Sequence, residues 1–277
     1  MRTLVHLSDL HFGRVEHALL LPLVEAVSAL SPDLVVVSGD LTQRARTAEF
    51  LHAKEFLARL PVPQIVVPGN HDVPLYNVVD RLLKPLEKFR RHIEPNLSPS
   101  YIDSEMAVQG VNTARSLVVK NGRINDAQIQ SLRNTLCDLD EEVVKVVVTH
   151  HPFDVPSHIP AGERVGRADM AMNAFAQCGV DVLLAGHLHT SRSGNTGDRY
   201  ALSGYSALVV SAGTATSTRG RGEANSFNVL RLEKRRIEVQ RFEWVHDDQR
   251  FAPAARQLFE RELAGWRSIY NTASDGT

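Results

Sequence analysis

The sequence predicts an α/β protein built around a mostly parallel sheet, on two observations. Short runs of β-branched and leucine residues alternate with segments of helical period, as in βαβ units. Five short polar blocks, Asp9-Leu10-His11, Gly39-Asp40, Gly69-Asn70-His71-Asp72, His150-His151 and Gly186-His187-Leu188-His189, each follow directly on such a run. Open parallel sheets collect ligands at the carboxyl ends of their strands, so the blocks stand where one site would form.

In chain order, a strand over 4–7 delivers Asp9 and His11, and a helix over 18–30 ends at Ser31-Pro32-Asp33. The run 34–37 is apolar throughout, as in a strand buried on both faces, and it delivers Asp40. A helix over 47–60 is stopped by Pro61 and Pro63, and a strand over 64–67 runs into Gly69-Asn70-His71-Asp72. The insertion at about 73–100 differs in character. Leu75, Val78, Val79, Leu82, Leu83 and Leu86 recur at helical spacing, with Arg81, Lys84 and Lys88 on the other side and a break at Pro85. This predicts a helix that packs by its apolar face, either as plain core or as a lid over the site.

Residues 106–110 and 117–119 read as strands of a second sheet, followed by a helix capped by Asn125 or Asp126 and running to about 139. A strand over 143–149 delivers His150 and His151. A helix over 168–178 and a strand over 180–184 lead to His187 and His189. The runs 200–202, 207–211, 227–232 and 237–244 read as consecutive antiparallel strands packed on the first sheet, and 253–266 as a surface helix before a mobile tail. Without repeats or low-complexity linkers, 1–277 reads as a single domain.

Composition bounds the partners. A net charge of −1 gives no global basic field to recruit nucleic acid, so attraction for phosphate must be local. Cys137 and Cys178 form no C-x-x-C pair, and both fall in helical stretches. They read as buried thiols of a reducing compartment. The N-terminus enters a strand without a leader pattern, and no apolar run is long enough to span a bilayer. A cytoplasmic location is expected.

The chemistry of the blocks is that of a metal site. Alternate residues of an extended segment point to one side, so Asp9 and His11 can reach one ion, while His187 and His189, equally spaced, can serve one ion or two. Asp40 has two oxygens and can bridge. Asn70 offers a neutral carbonyl, which limits negative charge around an anionic substrate. Mixed carboxylate, imidazole and amide ligands suit manganese, iron or zinc.

The blocks in this order, extending from Asp9 to His189, resemble the calcineurin-like metallophosphoesterase superfamily. The chain's size and its His150-His151-Pro152 block are most similar to the bacterial class III cyclic-nucleotide phosphodiesterase branch. The resemblance implies a four-layer α/β/β/α sandwich of two mixed sheets flanked by helices. It implies one metal on Asp9, His11, Asp40 and His189, and another on Asp40, Asn70, His150 and His187, with His150 preferred to His151 because it follows the strand directly. It also implies His71 beside the leaving group and Asp72 orienting His71. Two such ions would generate a bridging hydroxide for in-line attack on a phosphodiester.

The expected substrate is a small phosphodiester, 3',5'-cyclic nucleotides among them. The alternative is pyrophosphate hydrolysis of UDP-2,3-diacylglucosamine in lipid A synthesis, which would bring peripheral membrane contact through the insertion. A reading of another class is a non-catalytic interaction scaffold. Beyond the blocks, Arg219 and Arg221 of a basic loop, Arg81 of the insertion, and Tyr76 and Phe153 as base-stacking aromatics are candidate substrate contacts.

Overall fold

The computed structural model describes residues 1–117, 120–197, 199–219, 222–263 and 265–272. β1 (Arg2–Leu7), β2 (Leu34–Ser38) and β3 (Gln64–Val67) run parallel, linked by α1 (Leu20–Ala29) and α2 (Thr47–Leu57). Alternation along these strands feeds two cores. Leu4, Leu34 and Val36 face the second sheet, while Val5, Leu7, Val35 and Val37 meet Leu23 and Val27 of α1 and Phe50 and Phe56 of α2. Glu49 closes the start of α2 by accepting from the amides of Arg44 and Arg46, which meets donors the helix cannot pair itself.

The insertion forms α3 (Val78–Leu83) and α4 (Glu87–His92). Then come β4 (Ser100–Ile102), β5 (Met106–Gly110), α5 (Asp126–Leu136), β6 (Val144–Val148), α6 (Ala168–Cys178) and β7 (Val182–Ala185). They are followed by β8 (Arg192–Asn195), β9 (Leu208–Ser211), β10 (Ser226–Glu233), β11 (Arg236–Val245), β12 (Arg250–Glu262) and β13 (Gly265–Thr272). One sheet has seven strands in the order β13-β12-β11-β10-β1-β2-β3, the other six in the order β4-β5-β6-β7-β9-β8. Both are mixed. Their inner faces share the core of Leu4, Val36, Val108, Val146, Leu184 and Val210, while α5 and α6 cover the outer face of the second sheet. The result is the four-layer α/β/β/α sandwich.

Four expectations are corrected. Residues 253–266 are not a helix: β12 pairs with β11 from Glu260 to Arg250 and with β13 beyond it, burying Phe251, Phe259 and Trp266. Alanine and leucine there suggested helix by propensity, which tertiary pairing overrides. Pro253 is tolerated because it pairs only with Phe242 and has no partner in β13. The late strands are not one consecutive set. Residues 200–202 are irregular and precede a turn at 203–204, β9 runs parallel to β7 in the second sheet, and β10 returns antiparallel to β1 in the first.

The insertion inverts its expected face. Val78, Val79, Leu82 and Leu83 are exposed and α3 buries Arg81 instead, whereas Leu86 and Phe89 carry the packing. Cys137 and Cys178 are joined in a disulfide between the ends of α5 and α6, not left as free thiols. That removes one support for a reducing compartment. Among the described residues no helix is long and apolar enough to cross a membrane. Of the expected strand at 117–119, Leu117 lies in a turn, and Val118 and Val119 lie outside the described residues, as does the tail past Thr272.

Candidate metal centre

The five blocks converge at the carboxyl ends of β1, β2, β3, β6 and β7. The turns that bring them there are not extended. Asp9, His11, Asp40, His187 and His189 all have φ between 50 and 70°, a region that costs a non-glycine residue on the order of 1–3 kcal/mol and persists only where surroundings enforce it. The strand-like alternation expected for Asp9 and His11 is therefore replaced by left-handed turns that still aim both side chains inward. Glycines make room for this. A Cβ on Gly186 would overlap Ser8 Oγ and Asp9 Oδ2, and one on Gly69 would overlap Asp40 Oδ1.

Two clusters result. In the first, His11 Nε2 lies 3.4 Å from His189 Nε2, 3.5 Å from Asp9 Oδ1 and 3.7 Å from Asp40 Oδ2, and His189 Nε2 is 3.3 Å from Asp9 Oδ1. In the second, Asn70 Oδ1 is 3.1 Å from both His150 Nε2 and His187 Nδ1, with Asp40 Oδ2 3.4 Å from His150 Nε2. Asp40 Oδ2 thus faces both clusters, while its Oδ1 accepts from the His71 amide at 2.8 Å.

The tautomers decide what this arrangement can hold. His11 Nδ1 faces Thr42 O, His189 Nδ1 faces Arg219 O, and His150 Nδ1 faces Ser38 O at 2.8 Å. A ring nitrogen facing a carbonyl must be the donor, so in each of these rings Nε2 is the atom left to ligate an ion. These ring nitrogens and the carboxylate oxygens of Asp9 and Asp40 therefore point into the same two spaces. Asp9 Oδ1, fully buried, has no hydrogen-bond partner among the described residues. Buried carboxylate and imidazole atoms gathered this closely, with one carboxylate oxygen left unpartnered, are what a cation site requires, and the residues present fit two metal ions.

His151 lies close enough to His150 and His187 to share an ion with them, but its ring is otherwise engaged. Its Nδ1 meets Thr113 Oγ1 at 2.8 Å and its Nε2 meets Lys120 O at 2.9 Å, so both nitrogens are engaged away from Asn70 and Asp40. Burial and the His150 charge hold it neutral, well below the usual imidazole range. His150 is the opposite case. Burial opposes its charge, but Asp40 and Asp9 overcome that and raise it to about 9. Burial would lift the Asp40 carboxyl, yet His150, His11 and His71 hold it well below its ordinary value. Burial lowers His187 to about 4.

The expected roles of several residues are revised. Asp72 does not touch the His71 ring. Its carboxylate accepts from the amides of Gly69, Leu41 and Thr42 and from Thr42 Oγ1, which ties the Asp40 turn to the Asn70 turn. Burial and the neighbouring Asp40 raise its carboxyl to about 6. The group that orients His71 is the Gln43 carbonyl, 2.9 Å from Nδ1. His71 Nε2 then faces Arg219 Nη1 at 3.0 Å, and burial keeps its value below the ordinary one.

Phe153 cannot stack on a base, because it is buried and packs edge-on against Phe175 in the core under α6. Arg81 is turned away from the site, with Nη1 donating to Pro74 O at 3.0 Å. Tyr76 is exposed under the Arg44 guanidinium, 5.2 Å away. Arg221 lies outside the described residues.

Above the clusters opens a cavity of about 220 Å³ lined by Gln43, Arg44, His71, Leu75, Lys120 and Arg219, among others. It is smaller than pockets that engulf a drug-sized ligand. Arg44 and Lys120 escaped the sequence reading because they lie in loops without motif context. Ser8, whose Oγ donates to Asp9 Oδ2 at 2.7 Å, had only its adjacency to Asp9 as a signal.

The model of the calcineurin-like phosphoesterase family matches residues 2–191. The chain is 27% identical over 169 residues to the 3',5'-cyclic adenosine monophosphate phosphodiesterase CpdA of Escherichia coli (strain K12), covering 57% of this chain and 54% of that protein. It is 28% identical over 258 residues to a cAMP/cGMP dual specificity phosphodiesterase of Mycobacterium tuberculosis (strain CDC 1551 / Oshkosh), covering 83% of this chain and 75% of that one. The chain spans about half the length of the first curated relatives it matches. Among solved structures, that of PhoD superposes with a TM-score of 0.70 at 12% identity, over 99% of this chain and 72% of the other. At that identity the likeness is one of fold.

Proposed function

This chain belongs to the calcineurin-like phosphoesterase family, and from that premise we propose that it is a metal-dependent phosphodiesterase with 3',5'-cyclic nucleotides among its substrates. The observation that carries the reading is the convergence of metal-ligating side chains: Asp9, His11, Asp40 and His189 on one side, Asp40, Asn70, His150 and His187 on the other. Asp40 joins the two through Oδ2. Manganese, iron and zinc all suit this donor set. Two such ions, when bound, supply a nucleophile at neutral pH and a clamp for phosphate oxygens.

The chain's own residues do the rest. Asn70 contributes an oxygen without charge, which leaves the centre cationic enough to attract an anionic diester. The carbonyls of Thr42, Ser38 and Arg219 fix the ligand tautomers. Arg219 faces the cavity and donates to a substrate phosphate oxygen. His71, held by Gln43, presents Nε2 to the leaving oxygen. When Arg219 turns from His71 to the phosphate, Nε2 is freed to hold the proton that the leaving group requires.

Reconstitution with Mn²⁺ and assay on cyclic AMP, bis(p-nitrophenyl) phosphate and UDP-2,3-diacylglucosamine tests the reading. Hydrolysis of the diesters is expected, lowered on the order of 10³-fold in Asp40→Ala. Rapid release of UMP from the lipid substrate beside slow diester cleavage would transfer the enzyme to the lipid A alternative. A protein that purifies without tightly held metal and hydrolyses none of the three would be a scaffold.

A further inference from the structure

Six large apolar side chains in the stretch from Leu75 to Leu83 stand in solvent. Leu75, Tyr76, Val78, Val79, Leu82 and Leu83 are 42, 69, 61, 65, 52 and 75% exposed. Singly exposed leucines need no explanation, but a contiguous set of this size marks an interaction surface. The helix is turned this way by its cation: Arg81 is the one residue α3 buries, anchored on Pro74 O. Apolar side chains at positions 78, 79, 82 and 83 are all open to solvent.

Charge selects the occupant. Apart from the buried Arg81, residues 73–92 carry Lys84, Lys88, Arg90 and Arg91 against Asp80 and Glu87, in a chain whose net charge is −1. Lys84 pairs with Glu87 at 3.2 Å, Asp80 is bonded to Asn77, and Arg90 and Arg91 are exposed at the end of α4. A second copy of the chain would set this basic rim against itself, which like-charge repulsion opposes. An anionic bilayer satisfies both components at once: aliphatic side chains enter the headgroup boundary while lysines and arginines stay at phosphate level.

We propose that the segment from Leu75 to Leu83 is a docking wedge for an anionic membrane surface. Leu75 also lines the cavity above the metal-binding residues, so docking turns the mouth of the site toward the lipid interface. The surface is independent of which phosphoester the centre cleaves, and its test needs no turnover.

The full chain would be floated with vesicles of phosphatidylcholine alone and of phosphatidylcholine mixed with phosphatidylglycerol, at low and high salt. Wild type is expected to float with the anionic vesicles and to be released by salt. The double substitution Val79→Glu with Leu83→Glu, and separately Arg90→Glu with Arg91→Glu, should each lower the bound fraction about tenfold. Both variants should keep the wild-type Tm and hydrolysis of soluble bis(p-nitrophenyl) phosphate within about twofold, since surface changes away from the site are near neutral. Wild type that stays unbound on anionic vesicles overturns the proposal. So does a wild-type dimer by light scattering that Val79→Glu with Leu83→Glu converts to monomer, which would assign the patch to a second copy.

Discussion

In the proposed reaction His71 and Arg219 divide one task between them. With Nδ1 committed to the Gln43 carbonyl and Nε2 to Arg219, His71 has one nitrogen to offer a leaving group and Arg219 must move for it to do so. His71→Ala should therefore lower turnover of a poorly leaving alkoxide by about 10²-fold or more while barely changing release of nitrophenolate, which needs no proton. Equal losses for both leaving groups would remove the acid role. Arg219→Ala should raise KM for every diester and leave the ratio between leaving groups unchanged.

Another buried histidine reports on stability. His6 lies between the sheets with Nε2 2.9 Å from Ser38 Oγ, and burial pushes its value down to about 3 from 6.5. A group whose native value is depressed binds fewer protons folded than unfolded, so its contribution is intact above pH 6.5 and lost as pH falls from there toward 3. Relative to His6→Gln, the metal-free wild type should lose a few kcal/mol more stability between about pH 6.5 and pH 4. Urea unfolding across that window measures the difference.

At the scale of elements, the strand-to-loop turns carry the site. Gly186 passes so close to Ser8 and Asp9 that any Cβ must displace them, and Asp9 sits in both the ligand cluster and that contact. Gly186→Ala should cost activity about 10²-fold or more, because displacement on the order of 1 Å is enough to misplace a reacting group. Metal content should fall in parallel, measured on the same preparation. The outer pair of helices has a different tie. The disulfide closes a sequence separation of 41, and in the chain-entropy view a loop of that size stabilises the fold by about 4 kcal/mol. Reductant, or Cys137→Ser, should lower Tm by several degrees without altering kcat.

For the whole molecule, the two sheets meet through a mainly aliphatic core and open at one end on the cluster of metal-ligating side chains. Ions bound there bind the native state alone, so they stabilise it by mass action, about 4 kcal/mol at a thousandfold excess over Kd. Chelation should lower Tm, and readdition of Mn²⁺ should restore it in proportion to the logarithm of free metal. A Tm indifferent to chelation would mean that no ion links the five turns.

Much of this was legible in the chain alone, for a physical reason. Strands buried on both faces are written as unbroken apolar runs, so 34–37 and 64–67 were read within a residue of β2 and β3, and the polar blocks after such runs could only gather at one sheet end. The order of those blocks carried the family resemblance, and the resemblance in turn implied the four-layer sandwich and the set of ligand residues. What tertiary structure decided were the choices between equally apolar alternatives. The stretch 253–266 has helix-forming residues and became β12 and β13 because β11 presented an open edge. The apolar side of α3 faces outward because Arg81 found its partner inside. Cys137 and Cys178 meet only because α5 and α6 end side by side. Local pattern determines which residues can be buried or strand-like; which partner they meet depends on contacts far apart in sequence, and no window along the chain contains those.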